Sequence, residues 1–207
     1  MFAVGTEDRG SKSVGGEAVK KKRNDKDFYV TPDSAIDALL NNYKIKPGWI
    51  LEPCGGNGAI CRALMKHSDW SRLICAVEIR PEERFNLHYA GCDEVVIKDF
   101  LNFELSDLQI APPCKPGTII TNPPYSIAQE IIEKCFELSS PPDTDIIMLL
   151  RMGFLESKRR ESFWRNHSNV SLITLKDRPS FTGDGTDFAA YGWFIWHGGQ
   201  QFIIPCV

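Results

Sequence analysis

The chain has 207 residues, of which 43% are hydrophobic and 25% are charged, proportions typical of a soluble globular protein. They exclude collagen-like, low-complexity and wholly disordered chains, and the length favours one domain whose core needs no disulfide or metal. The net charge is −3, from 24 Lys and Arg against 27 Asp and Glu. This balance argues against coating nucleic acid by bulk electrostatics, although it is compatible with a local basic patch.

Seven cysteines are scattered along the chain without a C-x-x-C pair, and neither they nor the four histidines show metal-ligand spacing. We therefore expect reduced thiols and no metal. The apolar run from Ile146 to Leu150 ends at Arg151, far short of a membrane span, and the N-terminus lacks the apolar stretch of a signal peptide. These features predict a soluble, intracellular protein that does not bind a membrane.

Residues 1–27 contain several glycines, the basic run Lys20 to Arg23 and few large apolar side chains. Such a segment buries too little to offset the cost of ordering, so we expect a flexible basic arm in front of one domain at 28–207. The basic run either contacts phosphate or is simply solvated.

Helix and strand patterns alternate after Phe28. The residues from Thr31 to Tyr43 predict a helix with Thr31 as its N-cap and Pro32 in its first turn. Further helices are predicted at 58–68, 81–90, 126–139 and 155–166. Strands are predicted at 49–51, 73–77, 95–97, 118–120 and 146–150. Strict alternation predicts an α/β fold with a doubly wound, mostly parallel sheet. Two final strands, 170–175 and 191–196, have no helix between them and should form an antiparallel pair.

Ligands of such sheets bind beyond the carboxyl ends of the strands. Directly after the first strand stands Glu52-Pro53-Cys54-Gly55-Gly56-Asn57-Gly58, where the glycines allow a sharp turn and close approach of a ligand to the backbone. The turn lacks the G-x-G-x-x-G order and a following Lys, which argues against dinucleotide and Walker phosphate sites. A purely structural strand-to-helix turn is the alternative.

Acidic residues follow the next two strands. Glu78 ends the second strand, where a carboxylate can accept both hydroxyls of a ribose. Asp99 and Phe100 follow the third strand and offer an acceptor beside an aromatic face, which suits an adenine ring. The alternative for each is an incidental charge at a strand end.

The fourth strand leads into Asn122-Pro123-Pro124-Tyr125. The two prolines restrict the backbone and remove two donors, and we expect the Pro123 carbonyl to point into a cleft. Beside it stand the Asn122 amide, with one acceptor oxygen, and the Tyr125 ring. Two acceptors and a stacking face are what recognition of a planar amino group on a π system requires.

This Asn-Pro-Pro-Tyr sequence, together with the glycine-rich turn at 52–58 and Glu78, resembles the S-adenosylmethionine-dependent N6-adenine DNA methyltransferases. The segments 146–157, 178–183 and 193–196 look like the later strands of the small phage-type members. The resemblance covers nearly everything after Phe28 and implies a Rossmann-like class I methyltransferase fold. It also implies a protein of the cytoplasm in a bacterial or phage-infected cell.

The resemblance assigns roles to individual residues of this chain. The catalytic residues would be Asn122, Pro123, Pro124 and Tyr125. The residues that bind S-adenosyl-L-methionine would be Tyr29, Thr31, Pro32, Glu52, Pro53, Gly55, Gly58, Glu78, Asp99, Phe100 and Asn122. The DNA substrate would be bound by Tyr125, Phe181, Lys158, Arg159 and Arg160.

Two alternatives remain. Asn-Pro-Pro-Tyr also occurs in methyltransferases that act on RNA adenine or on a glutamine side-chain amide, and this chain has no segment long enough for a separate target-recognition domain. The other alternative is a non-catalytic module that keeps the fold to bind a partner. The target sequence and the oligomeric state stay open.

Overall fold

The computed structural model describes residues 29–67, 72–140, 142–179, 188–196 and 203–204. The predicted basic arm at 1–27 and the predicted substrate residue Phe181 lie outside these ranges.

The described strands form one eight-stranded sheet. They are β1 Ile50–Glu52, β2 Ile74–Glu78, β3 Glu94–Ile97, β4 Thr118–Thr121, β5 Asp145–Arg151, β6 Val170–Thr174, β7 Tyr191–Trp196 and β8 Ile203–Ile204. Their order across the sheet is β3-β2-β1-β4-β5-β7-β6-β8. β1 to β5 are parallel, whereas β7 runs antiparallel to both β5 and β6. The doubly wound, mostly parallel sheet with its C-terminal antiparallel pair is confirmed. The sequence pattern did not predict that β7 inserts between β5 and β6, or that β8 pairs with β6.

Five α-helices connect the described strands or precede them. They are α1 Asp33–Asn42, α2 Ala59–Lys66, α3 Arg84–Tyr89, α4 Ala128–Leu138 and α5 Glu161–Asn166. The single helix predicted at 155–166 is wrong in its first half, where the 3-10 turn Met152–Leu155 ends and a second 3-10 turn, Lys158–Arg160, follows. Ser157 separates these turns with a φ of 112°, a left-handed backbone that no α-helix accommodates.

The prediction that Thr31 caps α1 is also wrong. Pro32 is the N-cap, and its carbonyl accepts the N–H groups of Ala35 at 3.0 Å and Ile36 at 3.3 Å. The helix therefore starts one residue later than the Thr-Pro pattern suggested. The Thr31 hydroxyl accepts a hydrogen bond from Asn122 instead.

The sheet is buried on both faces, which explains its nearly unbroken apolar strands. Alternate residues of each strand pack against α1, α2 and α3 on one face and against α4 and α5 on the other. In β7, Trp193 lies on the first face and donates its indole N–H to the Ala35 carbonyl at 2.7 Å, while Phe194 and Trp196 lie on the second. All three aromatic side chains are buried and form part of the core. Both layers hold the carboxyl ends of the parallel strands in fixed positions.

Candidate functional site

A cavity of about 430 Å³ opens at the carboxyl ends of β1, β2 and β4 and beside the segment that follows β3. It lies where the parallel sheet predicts a ligand site. The sequence-predicted residues that line it are Tyr29, Thr31, Glu52, Pro53, Gly55, Glu78, Asp99, Phe100, Asn122 and Pro124. Seven predicted site residues within the described ranges lie outside this lining, namely Pro32, Gly58, Pro123, Tyr125, Lys158, Arg159 and Arg160.

The glycine-rich turn joins β1 to α2 and forms one wall of the cavity. Gly55 donates its N–H to the Val77 carbonyl at 2.9 Å, which ties the turn to the neighbouring strand. Gly58 adopts a φ of 79°, and a Cβ there would lie 2.4 Å from the Cβ of Ala90. A side chain at position 58 would therefore strain the backbone and clash with the end of α3. The contacts of Gly58 give it a structural role, and contact with a cofactor stays a prediction.

Glu78 carries the most densely bonded carboxylate of the cavity wall and is only 5% exposed. Its Oε2 accepts the Gly56 N–H at 2.7 Å, and its Oε1 accepts both the backbone N–H and the Nε–H of Arg80 at 2.9 Å. Arg80 also pairs with Glu83 at 3.3 Å. Arg80 is a lining residue that we did not predict, although an acid and a base two residues apart at a strand end was an available signal.

Glu52 ends β1 and is 2% exposed. Burial raises the pKa of Glu52 to about 8; the hydrogen bond from Cys61 opposes this shift, and the negative charge of Glu78 adds to it. The Cys61 thiol donates to Glu52 Oε2 at 2.7 Å. A cation that enters the cavity would favour the ionised form of Glu52.

Asp99 and Phe100 lie where β3 leads into a 3-10 turn. Asp99 Oδ1 accepts the Leu101 N–H at 3.0 Å, which orients the carboxylate. Phe100 is buried and stacks on Phe103 with ring centroids 5.8 Å apart. An acceptor thus stands beside an aromatic wall, as the sequence suggested, and its recognition of adenine stays a prediction.

Asn122 stands at the edge of the cavity, directly after β4. Its Nδ2 donates to Thr31 Oγ1 at 3.2 Å and to the Tyr29 carbonyl at 3.4 Å. Its Oδ1 accepts a hydrogen bond from the Tyr125 hydroxyl at 2.8 Å. The segment before α1 and the Asn-Pro-Pro-Tyr turn therefore meet at this amide, although 91 residues separate Thr31 from Asn122.

Tyr125 belongs to an aromatic cluster beside the cavity. Its ring stacks on Tyr29, with centroids 5.9 Å apart, and is tilted against Tyr191 at 5.5 Å. The Arg151 guanidinium lies 5.1 Å from the centroid of the Tyr125 ring, and its Nε donates to the Tyr191 hydroxyl at 2.8 Å. We did not predict Arg151 or Tyr191 as site residues, because in the sequence they are only the ends of two apolar strands.

The three basic residues predicted to contact DNA differ in their surroundings. Lys158 and Arg159 are exposed in the turn before α5. Arg160 packs over the Phe154 ring at 4.4 Å and donates to the Glu156 carbonyl at 3.0 Å, so it stabilises the preceding turn. Contact of these residues with DNA stays a prediction.

Within the described ranges, no three His, Cys, Asp or Glu side chains gather closely enough to hold a metal ion. The helices in that part of the chain are all too short or too polar to cross a membrane.

The structure is similar to many solved methyltransferase structures at low sequence identity. A modification subunit of a putative type I restriction enzyme from Vibrio vulnificus superposes with a TM-score of 0.63 at 14% identity, over 87% of this chain and 46% of that one. A putative class I S-adenosylmethionine-dependent methyltransferase from Listeria monocytogenes gives 0.58 at 12% identity, over 84% and 64%. A putative RNA methyltransferase from Pyrococcus horikoshii gives 0.58 at 14% identity, over 81% and 85%.

These similarities establish the fold, which is the Rossmann-like fold of class I methyltransferases. The chain spans 46% of the length of the Vibrio vulnificus subunit. No protein-family model and no curated protein sequence matches the chain.

Proposed function

We propose that this protein transfers a methyl group from S-adenosylmethionine to the N6 amino group of adenine in DNA. One observation carries the proposal: the buried carboxylate of Glu78 and the amide of Asn122 line the same cavity. A nucleoside-like methyl donor held by the first would therefore meet a planar amino group held by the second. The similarity in fold to a protein described as S-adenosylmethionine-dependent supports this choice of donor.

The residues of the cavity fit this donor. Its volume of about 430 Å³ lies within the usual range of small-molecule pockets. Glu78 would accept the ribose hydroxyls, and Asp99 beside the Phe100 ring would bind the adenine. Glu52 supplies a carboxylate that a positively charged ligand would ionise. S-adenosylmethionine, when bound, supplies an electrophilic methyl group on a sulfonium that is itself the leaving group.

The acceptor chemistry explains why an asparagine and a proline carbonyl stand together. The N6 lone pair of adenine is conjugated with the ring, so the amino group is a poor nucleophile. Asn122 Oδ1 and the Pro123 carbonyl would accept hydrogen bonds from its two N–H groups, which orients the lone pair towards the methyl group. The nitrogen would gain the methyl group as the bond from methyl to sulfur breaks, and it would then release one of its two protons to solvent. The target base must leave the duplex to reach the cavity, and stacking on Tyr125 would offset part of that cost.

The fold alone does not distinguish DNA from other acceptors, since one structural neighbour is named for a restriction enzyme and another as a putative RNA methyltransferase. We favour DNA adenine because the Asn122 to Tyr125 motif and the C-terminal segments resemble the small phage-type N6-adenine methyltransferases. Methylation of RNA adenine or of a glutamine amide is the alternative.

Incubation with methyl-labelled S-adenosylmethionine tests the proposal. The protein is given unmethylated duplex DNA, transcribed RNA or a protein extract in parallel, and each product is digested and analysed by mass spectrometry. We expect label in N6-methyldeoxyadenosine from the DNA sample. Label only in RNA adenine or only in glutamine would show that this group, and not DNA adenine, is the methyl acceptor. No label together with no binding of S-adenosylmethionine would overturn the proposal.

A further inference from the structure

The side-chain amide of Asn122 is held in one orientation by groups on both of its ends. The Tyr29 carbonyl, 3.4 Å from Nδ2, can only accept a hydrogen bond, so the NH₂ end must face it. The Thr31 hydroxyl accepts a hydrogen bond from the same nitrogen at 3.2 Å. The opposite end, Oδ1, faces the Tyr125 hydroxyl, which donates to it at 2.8 Å.

This orientation matters for the proposed reaction because the two ends of an amide have opposite polarity. With Oδ1 towards Tyr125, the amide presents an acceptor to an incoming amino group. If the amide turned by half a revolution, its NH₂ group would meet the N–H bonds of the substrate, and both would be donors. The amide must therefore be held against rotation about its terminal torsion, which is soft in an unrestrained side chain.

We propose that Thr31 is a positioning residue for Asn122. Its hydroxyl holds the side-chain amide so that Oδ1 faces the amino group that is to be methylated. This inference rests on the proposed function and adds to it a role for the segment before α1 other than contact with the methyl donor. Thr31 is 6% exposed, so solvent has little access to replace its hydroxyl. Pro32, and not Thr31, caps α1, so the hydroxyl is not needed to start that helix.

Substitution at position 31 separates this role from a packing role. Thr31→Val keeps the shape of the side chain and removes the hydroxyl that accepts the hydrogen bond from Asn122, whereas Thr31→Ser keeps that hydroxyl. Thr118→Val is the control, because Thr118 is also a buried threonine with a hydrogen-bonded hydroxyl, which donates to the Lys46 carbonyl at 3.4 Å, but it lies at the opposite end of β4. Should the valine variant fail to fold in a thermal melt, Thr31→Ala removes the same hydroxyl without added bulk.

The first measurement is single-turnover methylation at saturating S-adenosylmethionine, together with the affinity for that ligand by calorimetry. We expect Thr31→Val to slow the chemical step about tenfold, the effect of one lost hydrogen bond, with ligand affinity changed by no more than about twofold. Thr118→Val should stay within about twofold of the wild type, and Thr31→Ser should recover most of the rate that Thr31→Val loses. Three results would overturn the proposal. Thr31→Val could transfer methyl at the wild-type rate, its lost rate could be restored by more S-adenosylmethionine, or Thr31→Ser could be as slow as Thr31→Val.

The second measurement does not depend on methyl transfer. The side-chain ¹⁵N–¹H signals of Asn122 are assigned by their absence from the spectrum of Asn122→Asp. We expect Thr31→Val to shift them and to speed exchange of the amide protons with solvent. If the wild type methylates no acceptor but these signals change, the positioning role stands and the proposed function alone fails. Unchanged signals would overturn the positioning role.

Discussion

The two sides of the cavity are built differently. On the donor side, which comprises 52–58, 78–80 and 99–101, polar side chains are held mainly by backbone N–H groups at or near the ends of neighbouring parallel strands. The acceptor side comprises 29–31 and 122–125, with Arg151 and Tyr191 packed against Tyr125 outside the cavity lining. Its side chains hold one another through hydrogen bonds and ring contacts between distant segments. The donor side is therefore formed by short loops whose contacts are mostly local, whereas the acceptor side forms only when the folded sheet brings distant segments together.

This difference predicts that substitutions on the two sides affect different steps. Donor-side changes should weaken binding of S-adenosylmethionine, whereas acceptor-side changes should slow methyl transfer with that ligand still bound.

The largest effect is expected for Asn122→Ala. Loss of one preorganised acceptor should lower the rate of methyl transfer roughly 10²- to 10³-fold, while affinity for S-adenosylmethionine stays nearly unchanged. Single-turnover assays and calorimetry measure the two quantities separately. If Asn122→Ala methylates DNA at the wild-type rate, Asn122 is not a residue of the active site.

Glu78→Ala should produce the complementary result. The variant loses the carboxylate proposed to hold the ribose, so binding of S-adenosylmethionine should weaken by about 1.5 to 3 kcal/mol. Saturation with the ligand should restore most of the rate. Because Glu78 also holds Arg80 and Gly56, a thermal melt must show that the variant is folded. Unchanged ligand affinity would show that the ribose lies elsewhere.

Tyr125 allows the ring and the hydroxyl to be tested apart. Tyr125→Ala should weaken DNA binding and transfer by about 1 to 3 kcal/mol, the range for one stacked base. Tyr125→Phe keeps the ring but removes the hydroxyl that donates to Asn122 Oδ1, so it should slow transfer by about the value of one hydrogen bond and less than Tyr125→Ala does. A phenylalanine variant as slow as the alanine variant would show that the hydroxyl, and not the ring, is the functional group.

A further effect on the donor side concerns pH and Glu52. Because the pKa of Glu52 is raised to about 8, the free protein carries this proton near neutrality, and a cationic ligand must displace it. Affinity for S-adenosylmethionine should therefore rise as pH increases towards about 8, by at most about tenfold per unit, and then level off. Glu52→Gln should bind more weakly and lose this pH dependence.

The same shift has a consequence for stability. Between the ordinary pKa of a glutamate and about 8, the native state binds more protons than the unfolded state, so the free energy of unfolding falls as pH rises. The decline is complete above about 8. Glu52→Gln should flatten this part of the curve in denaturation experiments, and an unchanged pH profile would show that Glu52 ionises normally.

Much of the donor side was predictable from the sequence. Short apolar runs alternating with helical patterns predicted the doubly wound sheet. The few residues after each run supplied the candidate ligand-binding side chains. Glu52, Glu78, Asp99 and Phe100 could be located because carboxyl ends of parallel strands share one edge of the sheet. Arg80 was missed because a charged residue in a loop is most often solvated.

The acceptor side was determined by the sequence only in part. The motif from Asn122 to Tyr125 is local, and its two prolines restrict the backbone whatever surrounds it. Its partners are decided by tertiary structure: Thr31 and Tyr29 come from the segment before α1, and Arg151 and Tyr191 come from antiparallel strands β5 and β7. The sequence pattern assigned the Thr31 hydroxyl to a helix cap, since local rules count only neighbours along the chain. Packing of the sheet brings Asn122 within reach of that hydroxyl, and the orientation of the amide follows from this long-range contact.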